Sequence, residues 1–333
     1  MKRIVMMSIS LAILFVVASG CDSDNDTITG DLEQGTDDSE QPAEVTLVGP
    51  IERSGVYVLE MTDGSDTVLF ECKAEEGGLI TKFRLNGEEM LSTLTGANAY
   101  GSTFWPSPQS DWDWPPPSAI GADAYTVSVE SDTNTIVLTS GVDTDLGVQV
   151  VKRFSPDLEN MAVELSYTIV NTGETARSFA PWEITRVEPG GLTFFALGSE
   201  IFDIGSMQPL PIAQVDGLVW FDNPVESEMS GNYKLFADGA GGWLAHVQNN
   251  MMFIKAFADE TSDARAPDEA EIEIYAKGGA YVEVEQQGAY QSVPSGGERS
   301  WTVKWFLRAL PDGATQSVGD TPLAEFAASF GEG

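Results

Sequence analysis

The chain has 333 residues, with 52 Asp and Glu against 17 Lys and Arg and a formal net charge of −35 at pH 7. A surface this acidic repels polyanions. That excludes nucleic acid as a partner and argues against an anionic polysaccharide or a sugar phosphate as a ligand.

The first predicted element is an export signal. Lys2 and Arg3 form a charged start, Ile4 to Val17 is mostly apolar, and Ala18-Ser19-Gly20-Cys21 closes the segment with small residues and a cysteine. The apolar stretch is short for a comfortable membrane span. The pattern resembles the lipobox of bacterial lipoproteins. It implies a signal peptide over 1–20, lipidation of Cys21 and anchoring in a membrane of the cell envelope, with the domain facing the periplasm or the exterior. The alternative is an ordinary cleaved signal with a chance cysteine. Residues 21–44 follow as a disordered tether, in which Asp22 to Glu44 holds nine acids and no Lys or Arg. Asp22 directly after Cys21 leaves inner and outer membrane both open. Asp22, Asp24 and Asp26 alternate like the start of a calcium loop, but Thr27 stands where that loop needs Gly, and the distal Glu is missing. No metal and no cofactor are expected.

Residues 45–333 read as a single domain, because no second linker of Ser, Pro or charge interrupts them. Strand signals dominate. They fall at 56–61, 67–70, 80–85, 125–129, 135–139, 148–154, 162–170, 178–187 and 192–196. They continue at 233–236, 243–247, 251–257, 271–275, 281–286 and 300–307. Turn chemistry such as Asn86-Gly87, Asn171-Thr172-Gly173 and Gly278-Gly279 separates them. Only the tail looks helical, with Thr321 as cap, Pro322 in the first turn and Leu323 to Ala328 following. The fold class is therefore all-β: a large antiparallel β-sandwich with a short C-terminal helix, expected as a monomer. Cys72 stands alone in the domain if Cys21 carries lipid, and reads as a buried small hydrophobe.

Two segments carry candidate chemistry. Phe104 to Pro117 contains Trp105, Trp112 and Trp114 among five prolines, so it reads as a surface loop outside helix and central strand. Flat indoles interleaved with Gln109, Asp111 and Asp113 suit the apolar faces and polar rim of a sugar ring. The bland alternative is a hydrophobic plug at the end of the sandwich. Second, Glu271 and Glu273 alternate with Ile272 and Ile274, and Glu283 and Glu285 alternate with Val282 and Val284. Each strand thus has one apolar and one acidic face. A solvated face is the expectation for most of these carboxylates, with one or two lining a cleft.

Several short stretches together resemble the aldose 1-epimerase (galactose mutarotase) superfamily. Glu285-Gln286-Gln287, then Gly296-Gly297-Glu298, then Trp301 to Phe306 match its C-terminal Glu strand, turn and aromatic strand. Gly77 to Leu91 looks like its opening hairpin, and Tyr167 to Gly173 is similar to the strand and turn before its catalytic-histidine segment. Gly101 to Pro106 and Pro181 to Arg186 resemble signatures of a bacterial mutarotase-like subset. The resemblance implies a mutarotase-like supersandwich with Glu285 as base. It departs where the family's His acts as acid: Phe179 to Arg186 contains none, and the sole His is His246, downstream on a strand where a structural role is expected. The family's Asn-Arg sugar pair is absent as well.

Three readings result. In the first, the domain binds a neutral carbohydrate without epimerase chemistry; Trp105, Trp112, Trp114 and Trp182 stack on sugar faces, and Gln109, Glu183, Arg186 and Glu285 hydrogen-bond hydroxyls. In the second, Glu183 replaces the His as acid and Glu285 is the base of an epimerase or glycosidase. In the third, the chain is a structural envelope protein whose Trp loop contacts a protein partner.

Overall fold

The computed structural model describes residues 44–95, 99–223 and 230–331. The expected signal, Cys21 and the tether up to residue 43 lie outside them. Of the described residues, 54% are strand and 6% helix, and the strand pairs are almost all antiparallel. The expected all-β architecture is what the chain adopts.

Pairing runs almost unbroken around the molecule. Thr46–Arg53, Val56–Thr62, Thr67–Lys73 and Leu79–Leu85 form a meander. Leu79–Leu85 meets Ser102–Ser107 at one bridge, Ile80 to Ser102. Ser102–Ser107 then pairs with Arg177–Val187, and the order continues through Val282–Gln287 and Ile272–Lys277 to the first half of Asn232–Gln248. The second half of that strand pairs with Met251–Phe257. From there the order runs through Glu298–Ala309, Ala162–Asn171, Val148–Asp157 and Thr135–Thr139 to Thr126–Glu130. The strands up to the first half of Asn232–Gln248 form one layer, the first sheet, and those from its second half onward form the other, the second sheet, so Asn232–Gln248 belongs to both. It passes between them at Gly239–Gly242, where Gly241 and Gly242 take φ of 76° and 64°, a region that favours glycine.

Aromatic side chains fill the space between the sheets. Phe104 stacks on Tyr167 at 4.4 Å, and Trp305 meets Phe70, Phe83 and Phe253. Cys72 is fully buried there. The helix Thr321–Ala328 packs Leu323 and Ala327 against Phe194, Trp220, Trp243 and Ala245, closing the outer face of the second sheet. The outer face of the first sheet carries the candidate site.

Two details correct the sequence expectation. Trp105 and Pro106 are not in a loop: Ser102–Ser107 is a buried strand. Proline is tolerated because Pro106 faces Pro181 across the pair and the strand's other edge is nearly unpaired, so few ladder N–H groups are needed. The helix cap is Asp320, whose carboxylate accepts the Leu323 N–H at 3.0 Å, with Thr321 already helical.

Gly101 fixes where this strand begins. Its φ is 64°, its carbonyl accepts the Arg186 N–H at 2.9 Å, and a Cβ there would lie 2.2 Å from the Ile80 carbonyl oxygen. Gly101→Ala is expected to destabilise the protein by about 1–3 kcal/mol. Urea unfolding checks this, and an unchanged midpoint would contradict it.

Candidate functional site

The first sheet's outer face is set by alternation and register. Along Arg177–Val187, Trp182, Ile184 and Arg186 point one way and Glu183 and Thr185 the other. Cross-strand partners share a face. Trp182 pairs with Trp105 and Gln287, Ile184 with Thr103 and Glu285, and Arg186 with Glu283. Glu285 pairs onward with Glu273. The outer face thus collects Trp105, Trp182, Arg186, Glu273, Glu283 and Glu285.

Glu183 lies on the inner face, which corrects the expectation that it shares a cleft with Glu285. It is fully buried, and its carboxylate oxygens are occupied. Oε2 accepts the Tyr167 hydroxyl at 2.6 Å. Oε1 accepts from Gln286 Nε2 at 2.7 Å and Trp305 Nε1 at 3.0 Å, and faces Lys255 Nζ at 3.0 Å. This is an internal ion pair with full hydrogen bonding, out of reach of any ligand. Burial, opposed by Glu183, brings Lys255 down to about 8.

Glu285 is also fully buried. Its Oε2 accepts Trp182 Nε1–H at 2.9 Å and its Oε1 accepts from Lys234 Nζ at 2.6 Å. Lys234 Nζ lies 2.8 Å from Glu273 Oε2, and the rings of Phe236, Trp182 and Tyr275 surround it at 5.4 to 6.0 Å. Gln287 Nε2 and the Ala270 N–H hold Glu273 Oε1. The expected solvated acidic face is therefore a sealed cluster, because Lys234 and fixed donors replace water. Burial raises Glu285 and Glu273 to about 8; Lys234 opposes this, and neighbouring carboxylates add to it. Burial lowers Lys234 less than Glu273 and then Glu285 raise it, so it stays charged.

Beside this cluster, on the same face, opens a cavity of about 750 Å³. Lys73, Leu79, Thr103 and Arg186 contribute from four strands, with Tyr100 and the Pro115-Pro116 segment among the remaining lining. Arg186 is 1% exposed. Its Nε donates to Glu283 at 2.9 Å and its guanidinium lies 5.6 Å from the Trp105 ring centre. Both terminal nitrogens are buried without a partner among the described residues. Glu76 accepts from the Tyr100 hydroxyl and from Lys73 at 3.0 Å. The ionised groups around the cavity are thus balanced as two pairs.

The four Trp come together, though not as four open platforms. Trp105 meets Trp112, Trp114 and Trp182 edge-on at 5.7, 6.0 and 5.5 Å. Trp105 and Trp182 are 4% exposed, which corrects the expectation that they stack on a sugar, since the surrounding indoles and cations occupy them. Trp112 is half-buried, its Nε1–H bound to the Pro106 carbonyl at 2.8 Å. Trp114 alone of the four is open, at 59%. Gln109 anchors the loop through its backbone N–H to Glu269 Oε1 at 2.9 Å. His246 is buried among core strands, with Nδ1 2.9 Å from the Thr193 hydroxyl.

Sequence reasoning missed Lys234, Thr103, Tyr100 and Lys73. Lys234 left a signal: in a chain with 17 basic residues, it sits between Tyr233 and Leu235 on a strand of apolar side chains. Thr103 and Tyr100 left none beyond their closeness to Trp105.

No known protein-family model and no curated protein sequence matches the chain. Solved structures do. The Slr1438 protein of Synechocystis sp. PCC 6803 is similar with a TM-score of 0.52 at 13% identity, over 79% of this chain and 99% of that one. A TPR-domain containing protein from Parabacteroides distasonis gives 0.54 at 10% identity over 78% of this chain, which spans half of that protein's length. A "Putative aldose 1-epimerase" from Escherichia coli K12 gives 0.50 at 12% identity, over 77% of this chain and all of that one. At these identities the likeness establishes a galactose mutarotase-like fold and nothing finer.

Removing Lys234 leaves two buried carboxyl groups facing each other. Lys234→Met is expected to cost about 3–5 kcal/mol at neutral pH. The sign with pH follows from carboxyl groups held at about 8, above their ordinary value of 4.5. The folded state then binds more protons than the unfolded one, so the contribution is fully present below that ordinary value and is lost as pH rises through about 8. Lys234 holds both carboxyls down, so without it they rise further; the variant keeps protons that the wild type releases near pH 8, and its deficit should be larger at pH 8 than at pH 5. Urea titrations at both values test this; a deficit that shrinks with rising pH would refute it.

Proposed function

We propose that this chain binds a neutral carbohydrate in the cavity floored by Arg186 and Thr103, without mutarotase turnover at Glu285. Arg186 carries the reading. A buried guanidinium with two unpartnered terminal nitrogens is costly unless a ligand supplies acceptors. Adjacent hydroxyls of a sugar offer two oxygens at a spacing the planar fork accepts. Thr103 and Tyr100 add hydroxyl groups, and Leu79, Pro115 and Pro116 add apolar wall, the mixture a pyranose ring requires. Neutrality follows from charge: Arg186 is balanced by Glu283, Lys73 by Glu76, and the surrounding field is negative.

Glu285 is poorly placed for proton transfer. A general base needs a free oxygen within reach of the anomeric hydroxyl. Here one oxygen accepts from Trp182 and the other from Lys234, and no His stands opposite. The family resemblance thus reads as inheritance of a sugar-facing sheet with its acid–base pair dismantled. The N-terminal pattern supports attachment of the domain to an envelope membrane through lipid on Cys21.

Titration calorimetry with a panel of neutral sugars should show binding by the wild type. Arg186→Lys, which keeps the charge and loses the fork, should weaken it by roughly 10- to 100-fold. Polarimetry with the same sugars should show no catalysed mutarotation. Turnover in the wild type that disappears in Glu285→Gln would establish the epimerase reading instead. For the anchor, Cys21→Ser should move the protein from the membrane to the soluble fraction; wild-type protein soluble without detergent would count against lipidation.

A further inference from the structure

Trp114 and the size of the cavity lead past a single sugar ring. A hexopyranose fills on the order of 170 Å³, about six times a water's share of liquid volume. The cavity holds about 750 Å³, so one ring leaves much of it empty. Trp114 adjoins the cavity wall along the chain. The next two residues, Pro115 and Pro116, form part of the cavity wall, and the Trp114 ring meets Trp105 edge-on at 79°. Trp105 in turn lies against Arg186, which lines the same cavity.

Trp114 is also unusual in its exposure. At 59% it is the only aromatic side chain among the large hydrophobics exposed in the described residues. Its partners in the cluster, Trp105 and Trp182, are 4% exposed. The backbone holds it out: Asp113 takes a φ of 55°, a left-handed conformation that Asp tolerates, and prolines at 115, 116 and 117 stiffen the chain on its other side. A lone open indole on a stiff segment is too small a patch for a stable protein interface, but it matches the apolar face of one pyranose.

Resting on the carbohydrate reading above, we infer that the ligand is a neutral oligosaccharide of at least two rings, one bound in the cavity near Arg186 and a following ring stacked on Trp114. The cavity supplies hydrogen bonds and orientation. Trp114 supplies an outer platform that a monosaccharide does not reach.

The test is titration calorimetry of the full-length chain with matched neutral gluco- and manno-oligosaccharides, from the monosaccharide to the tetrasaccharide. In at least one series the trisaccharide should bind about ten-fold tighter than its monosaccharide, the scale of one aromatic contact. Trp114→Ala should lower trisaccharide affinity far more than monosaccharide affinity. An unchanged melting curve of this variant separates lost binding from lost folding. Equal affinity for monosaccharide and longest oligomer, or an equal loss on both in Trp114→Ala, would overturn this inference while leaving the carbohydrate reading intact. Absence of binding to every sugar in both series would remove the two together.

Discussion

The two-residue period of the strand Arg177–Val187 governs the rest of the site. Because successive side chains face opposite sides of a sheet, Trp182, Ile184 and Arg186 are committed to the outer face as soon as Glu183 is committed to the core. Glu183 is fixed inward by four donors, from Tyr167, Gln286, Trp305 and Lys255, drawn from both sheets. That buried node locks the rotation of the strand about its own axis. A slip of one residue would bury Arg186 among phenylalanines and turn Glu183 toward the cavity.

An acidic chain must place its few cations with care. Lys255 is buried and Lys234 largely so, one on each side of the first sheet, and each answers carboxylates whose charge would otherwise be too costly in a desolvated setting. The outcome differs on the two sides. Inside, Lys255 and Glu183 complete a saturated network. Outside, Lys234 is shared by Glu273 and Glu285 and caged by three rings, so the carboxylate that the family resemblance marks as a base is neutralised by its own chain. Arg186 is the exception. It has one hydrogen-bond partner for three nitrogens and lines the cavity of about 750 Å³ on that face.

Much of this was legible in the sequence. Alternating Glu and Val in 282–285 marked a strand with two faces, and the pairing of 271–275 with 281–286 is present as Glu273 beside Glu285. The same rule, applied to 182–186, already separates Glu183 from Trp182 and Arg186; grouping all three around one sugar overlooked it. The opposition of Glu183 and Glu285 was not legible, because it depends on cross-strand register between segments a hundred residues apart. Nor was the burial of the acidic face, which depends on Lys234 arriving from a third strand. Proline misled at 104–107, since its rule against central strands does not hold where the facing residue is another proline and the far edge is open.

Arg186, and not Glu285, is the group proposed to meet the ligand. A crystal structure of the full chain soaked with the tightest-binding neutral sugar would test it directly. A ring is expected in the cavity with hydroxyl oxygens within hydrogen-bond distance of both Arg186 terminal nitrogens, and the Lys234–Glu285 contact intact. A ring seated over Glu285, with Lys234 displaced and the Arg186 nitrogens still unpartnered, would contradict it.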